Sequence, residues 1–265
     1  MEYIDKTNPN VKQNAHNILK KFIDEQWQND TNRYVNLAYE YFDKVEFCEL
    51  LLKEQNHYCC YCMKHILNKE TTIEHIIPNK AKKESIYSDY KIYGDIESNV
   101  FLWQGNMSSK INLPPFPHIL AYENLVASCN GSIPKEGNAK CCNNKRGSEK
   151  IIPVFYIANA KEEFEYDVSG IIICDKKYYD TISCLALEHQ TLQLFRRCWL
   201  NLPSRYDALD VIDAGKDKEL REQIVDDMDF SKISVRDRET IRTEPYWNSF
   251  MNYFWFYLYK QDKGI

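Results

Sequence analysis

Apolar residues recur at helical spacing in several stretches of the chain. Between Asn14 and Gln28 they fall at Ile18, Leu19, Phe22, Ile23 and Trp27. Between Asn36 and Gln55 they fall at Leu37, Tyr41, Val45, Cys48, Leu51 and Leu52, and between Ile182 and Leu200 at Leu185, Leu187, Leu192, Leu194, Phe195 and Trp199. A stripe that returns every three to four residues is the mark of an amphipathic helix. These aromatics and Cys48 read as core, and His16 as part of a solvated face. Residues 1–12 carry no stripe, and Pro9 reads as a stop signal within an irregular segment.

Strand signals are shorter. Thr71 to Ile77 reads T-T-I-E-H-I-I and is stopped by Pro78. Alternation puts Ile73, His75 and Ile77 on one face, with Glu74 and Ile76 on the other. Asn124 to Cys129 reads as a strand end, and residues 154–173 as a hairpin turning near Ser169 and Gly170. The segment 79–122 has no period. It opens with Lys80, Lys82 and Lys83, carries several tyrosines and contains L-P-P-F-P-H. Two readings stand: a solvated insertion, or a lid whose lysines meet phosphate and whose aromatics stack on bases. His118, among prolines, reads as structural. Residues 205–243 are strongly charged and expected to be helical in part. The aromatic run Tyr246 to Tyr259 either completes the core or faces a partner subunit. The chain thus divides into an N-terminal helical region (1–56), a central module (57–150) with a long insertion at 79–122, and a C-terminal hairpin with a helical region (151–265).

At 265 residues, 44% hydrophobic and 28% charged, the composition is that of a globular protein with a sizeable core. A formal charge of −5 argues against non-specific coating of nucleic acid, but leaves room for a nucleic-acid enzyme with local positive charge. The opening M-E-Y-I-D-K-T-N-P-N lacks the apolar core of a secretion signal, and the run Phe250 to Tyr259 is too short to span a bilayer. No membrane association is expected. Ten cysteines, some of them in closely spaced pairs, without such a signal, point to metal ligation in a reducing compartment, hence to a cytoplasmic protein.

The cysteines bracket the rest of the chemistry. C-C-Y-C at 59–62 is followed by Glu74-His75, by N-L-V-A-S-C at 124–129, and by C-C-N-N-K-R-G at 141–147. Cys59-x-x-Cys62 with Cys129 and Cys142 supplies four thiolates, the donor set of a closed structural zinc site. Cys60 and Cys141 are the spare cysteines, and a swap with their neighbours stays open. Cys174, Cys184 and Cys198 show no metal spacing and read as core. His189, beside Glu188, reads as part of a solvated helix face. The stretch from Cys142 to Gly147 is expected to open a helix, whose free N–H groups suit a phosphate near Asn143 and Arg146.

In this order the residues resemble an HNH nuclease: a cysteine pair, an acid–histidine dipeptide, Asn124-Leu125 leading to Cys129, and Cys142-Asn143 leading to Arg146-Gly147. The match covers roughly a third of the chain. The chain departs from the pattern in the length of 78–124, in the insertion between Cys129 and Cys142, and in Arg146 at the usual lysine position. More narrowly, Y-E-N-L-V-A-S-C within this stretch, and I-I-P-V-F and Phe164, Tyr166, Gly170 and Ile172 beyond it, resemble the nuclease subunits of Septu-type and retron-associated antiphage systems, which act beside an ABC-like ATPase. The chain has no P-loop of its own, so any ATP would be handled by another subunit.

The resemblance implies an α+β, predominantly helical protein with an embedded, zinc-stapled ββα-metal module. It implies His75 as general base and Asn124 as the residue that orients it by a hydrogen bond. Glu74 and Asn143 (or Asn144) would be ligands of a catalytic Mg²⁺ or Mn²⁺, oxygen donors suiting those ions as thiolates suit zinc. Lys145 and Arg146 would hold phosphate. The activity implied is cleavage of nucleic acid, DNA ahead of RNA. The alternatives are a non-catalytic zinc module that docks nucleic acid or a protein, a tRNA- or RNA-cleaving effector, and a stand-alone restriction-type nuclease.

Overall fold

The computed structural model describes residues 2–81, 99–105, 107, 109–134, 140–229 and 231–263, with side chains beyond Tyr253 left aside. Lys82 and Lys83 lie outside the described residues. The fold mixes helices with small two-stranded sheets. It groups the chain differently from the three consecutive segments expected. One compact unit comprises Ile4–Cys60 and Leu67–Ser128; the other comprises Met1–Tyr3, Tyr61–Ile66 and Cys129–Ile265. They are called here the N-terminal and C-terminal units.

The N-terminal unit begins with α1, Pro9–Glu25. Pro9 starts this helix and does not stop the chain before it. Its missing N–H is one that a first helical residue does not need, and the Asn8 side chain accepts from the N–H groups of Asn10 and Val11. Ala15, Leu19, Phe22 and Ile23 are buried along one stripe, which packs against α2, Val45–Glu54. The helix expected over 36–55 is shorter than its stripe. Asn36 has φ 57°, outside helical geometry, and residues Tyr39–Tyr41 form a 3₁₀ turn before Asp43 accepts from the Val45 N–H. Trp27–Gln28 (β1) and Arg33–Tyr34 (β2) make a short antiparallel hairpin. Thr71–His75 (β3), Val100–Phe101 (β4), Phe116–Pro117 (β5) and Leu125–Cys129 (β6) complete the strands of this part of the chain. β4 runs parallel to β5, and β3 pairs with β6. Buried Gln55, just past α2, holds β6 like an extra strand: its amide donates to Ala127 O (2.8 Å) and accepts from Ala127 N (2.7 Å).

The C-terminal unit contains the short helix α3, Cys142–Arg146, then the hairpin Phe164–Tyr166 (β7) and Ile172–Cys174 (β8), and six further helices among the described residues. These are Tyr179–Cys184 (α4), Gln190–Leu200 (α5), Ala208–Asp213 (α6), Lys218–Asp227 (α7), Val235–Ile241 (α8) and Glu244–Lys263 (α9). The hairpin is confined to 164–174; residues 154–156 form a 3₁₀ turn. It turns on Asp167, whose carboxylate accepts from Ser169 and Ile171, and on Gly170, where a Cβ would lie 2.3 Å from the Gln193 carbonyl oxygen. The stripe over 182–200 breaks into α4 and α5 because Ala186 takes φ 49° and His189 caps α5 through Nδ1, accepting from Thr191 N. His189 is therefore a cap and not part of a solvated face. Cys198 is fully buried, and burial pushes its thiol up to about 12, so it packs as a neutral group.

α9 gives this unit its centre. Trp247 and Phe250 are fully buried, and Trp247 Nε1 donates to Val211 O (3.1 Å) in α6. Among the described residues no helix is long and apolar enough to cross a membrane. Replacing Trp247 by alanine is expected to cost about 3–5 kcal/mol in a urea titration, through the cavity and the orphaned Val211 carbonyl. A loss below about 1 kcal/mol would show that the site relaxes around the missing ring.

Candidate functional site

Four cysteines come together. The sulfurs of Cys59, Cys62, Cys129 and Cys142 all lie within 4.8 Å of one another. A tetrahedral ion with bonds of about 2.3 Å sets its sulfur ligands about 3.8 Å apart, and Cys62 Sγ to Cys129 Sγ is 3.8 Å. The donor set and its spacing fit a metal ion such as zinc. Cys60 and Cys141 stay outside it: Cys60 gives its N–H to Ala127 O, and Cys141 Sγ faces Gly131 O at 3.7 Å.

The long spacing from Cys129 to Cys142 follows from backbone geometry. Gly131 and Cys141 approach so closely that a Cβ on Gly131 would sit 2.2 Å from the Cys141 carbonyl oxygen. Cys141 N donates to Gly131 O (3.0 Å), and Ser132 pairs with Lys140. The insertion leaves and returns at one point, so Cys142 comes back beside Cys129. Cys142 itself takes φ 54° and donates its N–H to Leu185 O (2.9 Å).

The residues expected to do chemistry divide between the units. Glu74, His75 and Asn124 belong to the N-terminal unit; Asn143, Lys145 and Arg146 belong to the C-terminal unit. His75 closes β3 and is half-buried. Its Nε2 lies 3.0 Å from the Ile119 carbonyl, which can only accept. The neutral ring therefore keeps its proton on Nε2, and Nδ1 carries the basic lone pair. The Tyr39 ring meets the imidazole edge-on, with centroids 4.6 Å apart, and Lys44 Nζ lies 4.3 Å from the Tyr39 centroid. Burial, then the nearby Cys48 and Glu74, hold the Tyr39 phenol far above its usual range, so it stays neutral. Tyr39 was not singled out in the sequence; it was one more aromatic in an apolar segment.

Asn124 does not bond the His75 ring as expected. Its buried amide serves the backbone: Oδ1 accepts from Ile77 N (2.6 Å), while Nδ2 donates to Ile77 O (3.0 Å) and His118 O (2.7 Å). Its own carbonyl accepts from Ile76 N (2.9 Å). Asn124 thereby fixes both the residues after His75 and the chain just before Ile119, the partner of the ring. His118 continues this frame. Its Nδ1 accepts from Trp103 N (3.1 Å) and its Nε2 meets Asn79 O (3.2 Å), while burial lowers its pKa and keeps it neutral.

Glu74 is only 5% exposed. Asn143 is half-buried in α3, and Asn144 is exposed and donates to the Asn130 carbonyl. Lys145 is exposed, but Arg146 is 1% exposed, with Nε on Glu149 O (2.9 Å) and Nη1 on Tyr61 Oη (3.3 Å). A guanidinium buried on protein oxygens does not meet a phosphate at the surface, so the expected Arg146 contact is corrected to a structural one. His16 also departs from its reading. It is not solvated: Nε2 lies 3.0 Å from buried Glu123, with Phe116 against its ring.

No family model matches this chain, and neither a curated protein nor a solved structure does.

Cys142→Ser is expected to lower bound zinc severalfold by elemental analysis and to destabilise the fold, since a structural ion is worth on the order of 10 kcal/mol. Cys141→Ser should keep full metal content; equal loss in both variants would move the ligand assignment. Asn124→Ala should cost about 2–4 kcal/mol, because it orphans a buried N–H and two carbonyls at once. A urea titration checks it, with Asn124→Asp as the near-isosteric control.

Proposed function

We propose that this protein is a metal-dependent nuclease of HNH type, cleaving phosphodiester bonds in nucleic acid, with DNA expected ahead of RNA. The observation that carries the reading is the 3.0 Å contact between His75 Nε2 and the Ile119 carbonyl. A histidine with Nε2–H donating to the Ile119 carbonyl presents Nδ1 as a base, and its cationic form keeps that same bond. Packing against Tyr39 supports a fixed ring orientation.

In this reading His75 Nδ1 takes a proton from a water molecule. The water oxygen adds to phosphorus as the bond to the leaving 3′ oxygen breaks. Asn124 is a positioning residue: it holds the backbone on either side of the imidazole and never meets the reacting atoms. Glu74 and Asn143 offer hard oxygen donors, which fit Mg²⁺ or Mn²⁺ and not a thiolate-seeking ion. When bound, such an ion supplies charge neutralisation at the phosphate and the leaving oxygen. Lys145 adds an exposed cation. The four-cysteine cluster is assigned structural zinc, because four thiolates leave no open position for chemistry. The resemblance further supports service as the nuclease subunit of an antiphage complex beside an ATPase, in the cytoplasm.

The test is cleavage of plasmid DNA and of total tRNA by wild type and His75→Ala, with and without added Mg²⁺ or Mn²⁺, and with any ATPase that co-purifies. Loss of general-base catalysis is expected to slow cleavage by about 10²–10⁴-fold while zinc content and folding are unchanged. Equal cleavage by His75→Ala would overturn the assignment. Silence of the wild type under every condition, with zinc bound, would establish the non-catalytic zinc module in its place.

A further inference from the structure

Among the described residues of the N-terminal unit, two clefts differ in character. One, about 690 Å³, runs along α1 and α2 and is lined by Glu46, Glu49 and Glu54 with Lys53 as its one cation. Carboxylates on its walls repel a polyanion. The other, about 590 Å³, is lined by Asn32, Arg33, Tyr34, Trp103, Gly105 and Met107, along with Val35. No carboxylate is among those lining residues. Its volume lies in the range of a small-ligand site.

Its walls are aromatic at Tyr34 and Trp103. The Tyr34 ring stands edge-on to Trp27 (centroids 4.8 Å) and to Trp103 (5.9 Å), and Phe101 supports Trp103 from behind at 6.5 Å. Tyr34 Oη accepts from Ile111 N, and burial raises its pKa, so the phenol stays neutral beside any phosphate. The Trp103 backbone is fixed by the His118 ring. Arg33 is exposed at the rim, and Lys110 lies next to Ile111, paired to Asp24 at 3.6 Å. Exposed pairs of this kind are worth little and exchange readily for phosphate.

From this we infer that the cleft of Arg33, Tyr34 and Trp103 binds an unpaired nucleobase of a single-stranded nucleic acid. The base stacks against the aromatic wall, Asn32 offers an amide to its edge, and Arg33 takes the adjoining phosphate. A duplex cannot enter, because its bases are already stacked on one another. The inference rests on the nuclease reading for its choice of nucleic acid. It deepens that reading by placing substrate recognition outside the cysteine-bracketed stretch. It also links the cleft to His75 through one frame, since the His118 ring holds Trp103 and the His118 carbonyl holds Asn124.

The test measures fluorescence anisotropy of a labelled single strand of about twelve nucleotides, and of the matching duplex, on full-length His75→Ala protein without added divalent ion. Tighter binding of the single strand is expected. Arg33→Glu, at an exposed position, and Trp103→Ala are each expected to weaken it about tenfold or more, while Trp103→Phe keeps most of the affinity. Single-strand affinity within about twofold of the parent in Arg33→Glu and Trp103→Phe alike, with Trp103→Ala also unchanged, would overturn the cleft. Cleavage assays separate the two readings. Active wild type with unaltered binding in the variants removes the cleft and leaves the nuclease. Inactive wild type whose single-strand binding is lost in Arg33→Glu keeps the cleft and removes the nuclease.

Discussion

The N-terminal unit depends on one buried amide. Asn124 makes three side-chain bonds to backbone groups, two to distant Ile77 and one to His118, and a fourth contact through its own carbonyl. Each such bond adds only about 1 kcal/mol net, but each buried partner left unmade costs about 1–3. The asymmetry makes the arrangement close to all-or-none. The long excursion between Ile77 and His118 is pinned at both ends by this one side chain. Closing a long loop costs little more entropy than closing a short one, because the cost grows only with the logarithm of length. A pinned excursion can therefore vary inside without moving the imidazole at its base.

The C-terminal unit solves a related problem with different groups. Helix ends and the turns beside them leave carbonyls that need donors, and buried arginines provide them. Arg221 reaches Ala214 O and Arg242 O, Arg238 reaches Met228 O and Ile233 O, and Arg146 reaches Glu149 O. A guanidinium presents several donors in a fixed plane, so one side chain can serve two chain turns. Aspartate and serine caps at Asp207, Asp217 and Ser234 satisfy the opposite helix ends. The strongly charged sequence of this region is thus partly internal wiring and only partly a solvated surface.

This explains which parts were legible in the sequence. The stripe Leu19, Phe22 and Ile23, a strand beginning at Thr71, a turn near Ser169 and Gly170 and the cysteine pairs all announce themselves through period or spacing, although the strand ends at His75, two residues before its apolar run does. What stayed hidden depends on partners distant in the chain. Nothing near Arg146 shows that Tyr61 will take its guanidinium into the interior. Nothing near His16 shows that Glu123 will draw it inward. The apolar stripe over 36–55 runs longer than its helix because it continues past a backbone that Asn36 turns left-handed. Pro9 reads as a stop because proline ends a helix from within but begins one from its first position, and the cap at Asn8 tells these apart. Ile119 was invisible in a stronger sense, since its contribution is a backbone carbonyl that any residue would carry.

Charge decides how such a protein can hold a polyanion. The chain is acidic overall, and burial withdraws Arg146 from the surface. In the proposed cleft one or two phosphate contacts would release few counterions, so binding of this kind would fall only weakly with salt. Affinity must then come from contacts that do not count charges. Stacking on Tyr34 and Trp103 is of that kind: it tolerates any base, needs the base unpaired, and survives at the ionic strength where a purely electrostatic grip would fail. In the reading proposed above, an acidic chain that held nucleic acid through rings, with one or two cations to set the phosphate, would avoid coating intact duplex and would respond to places where bases are exposed.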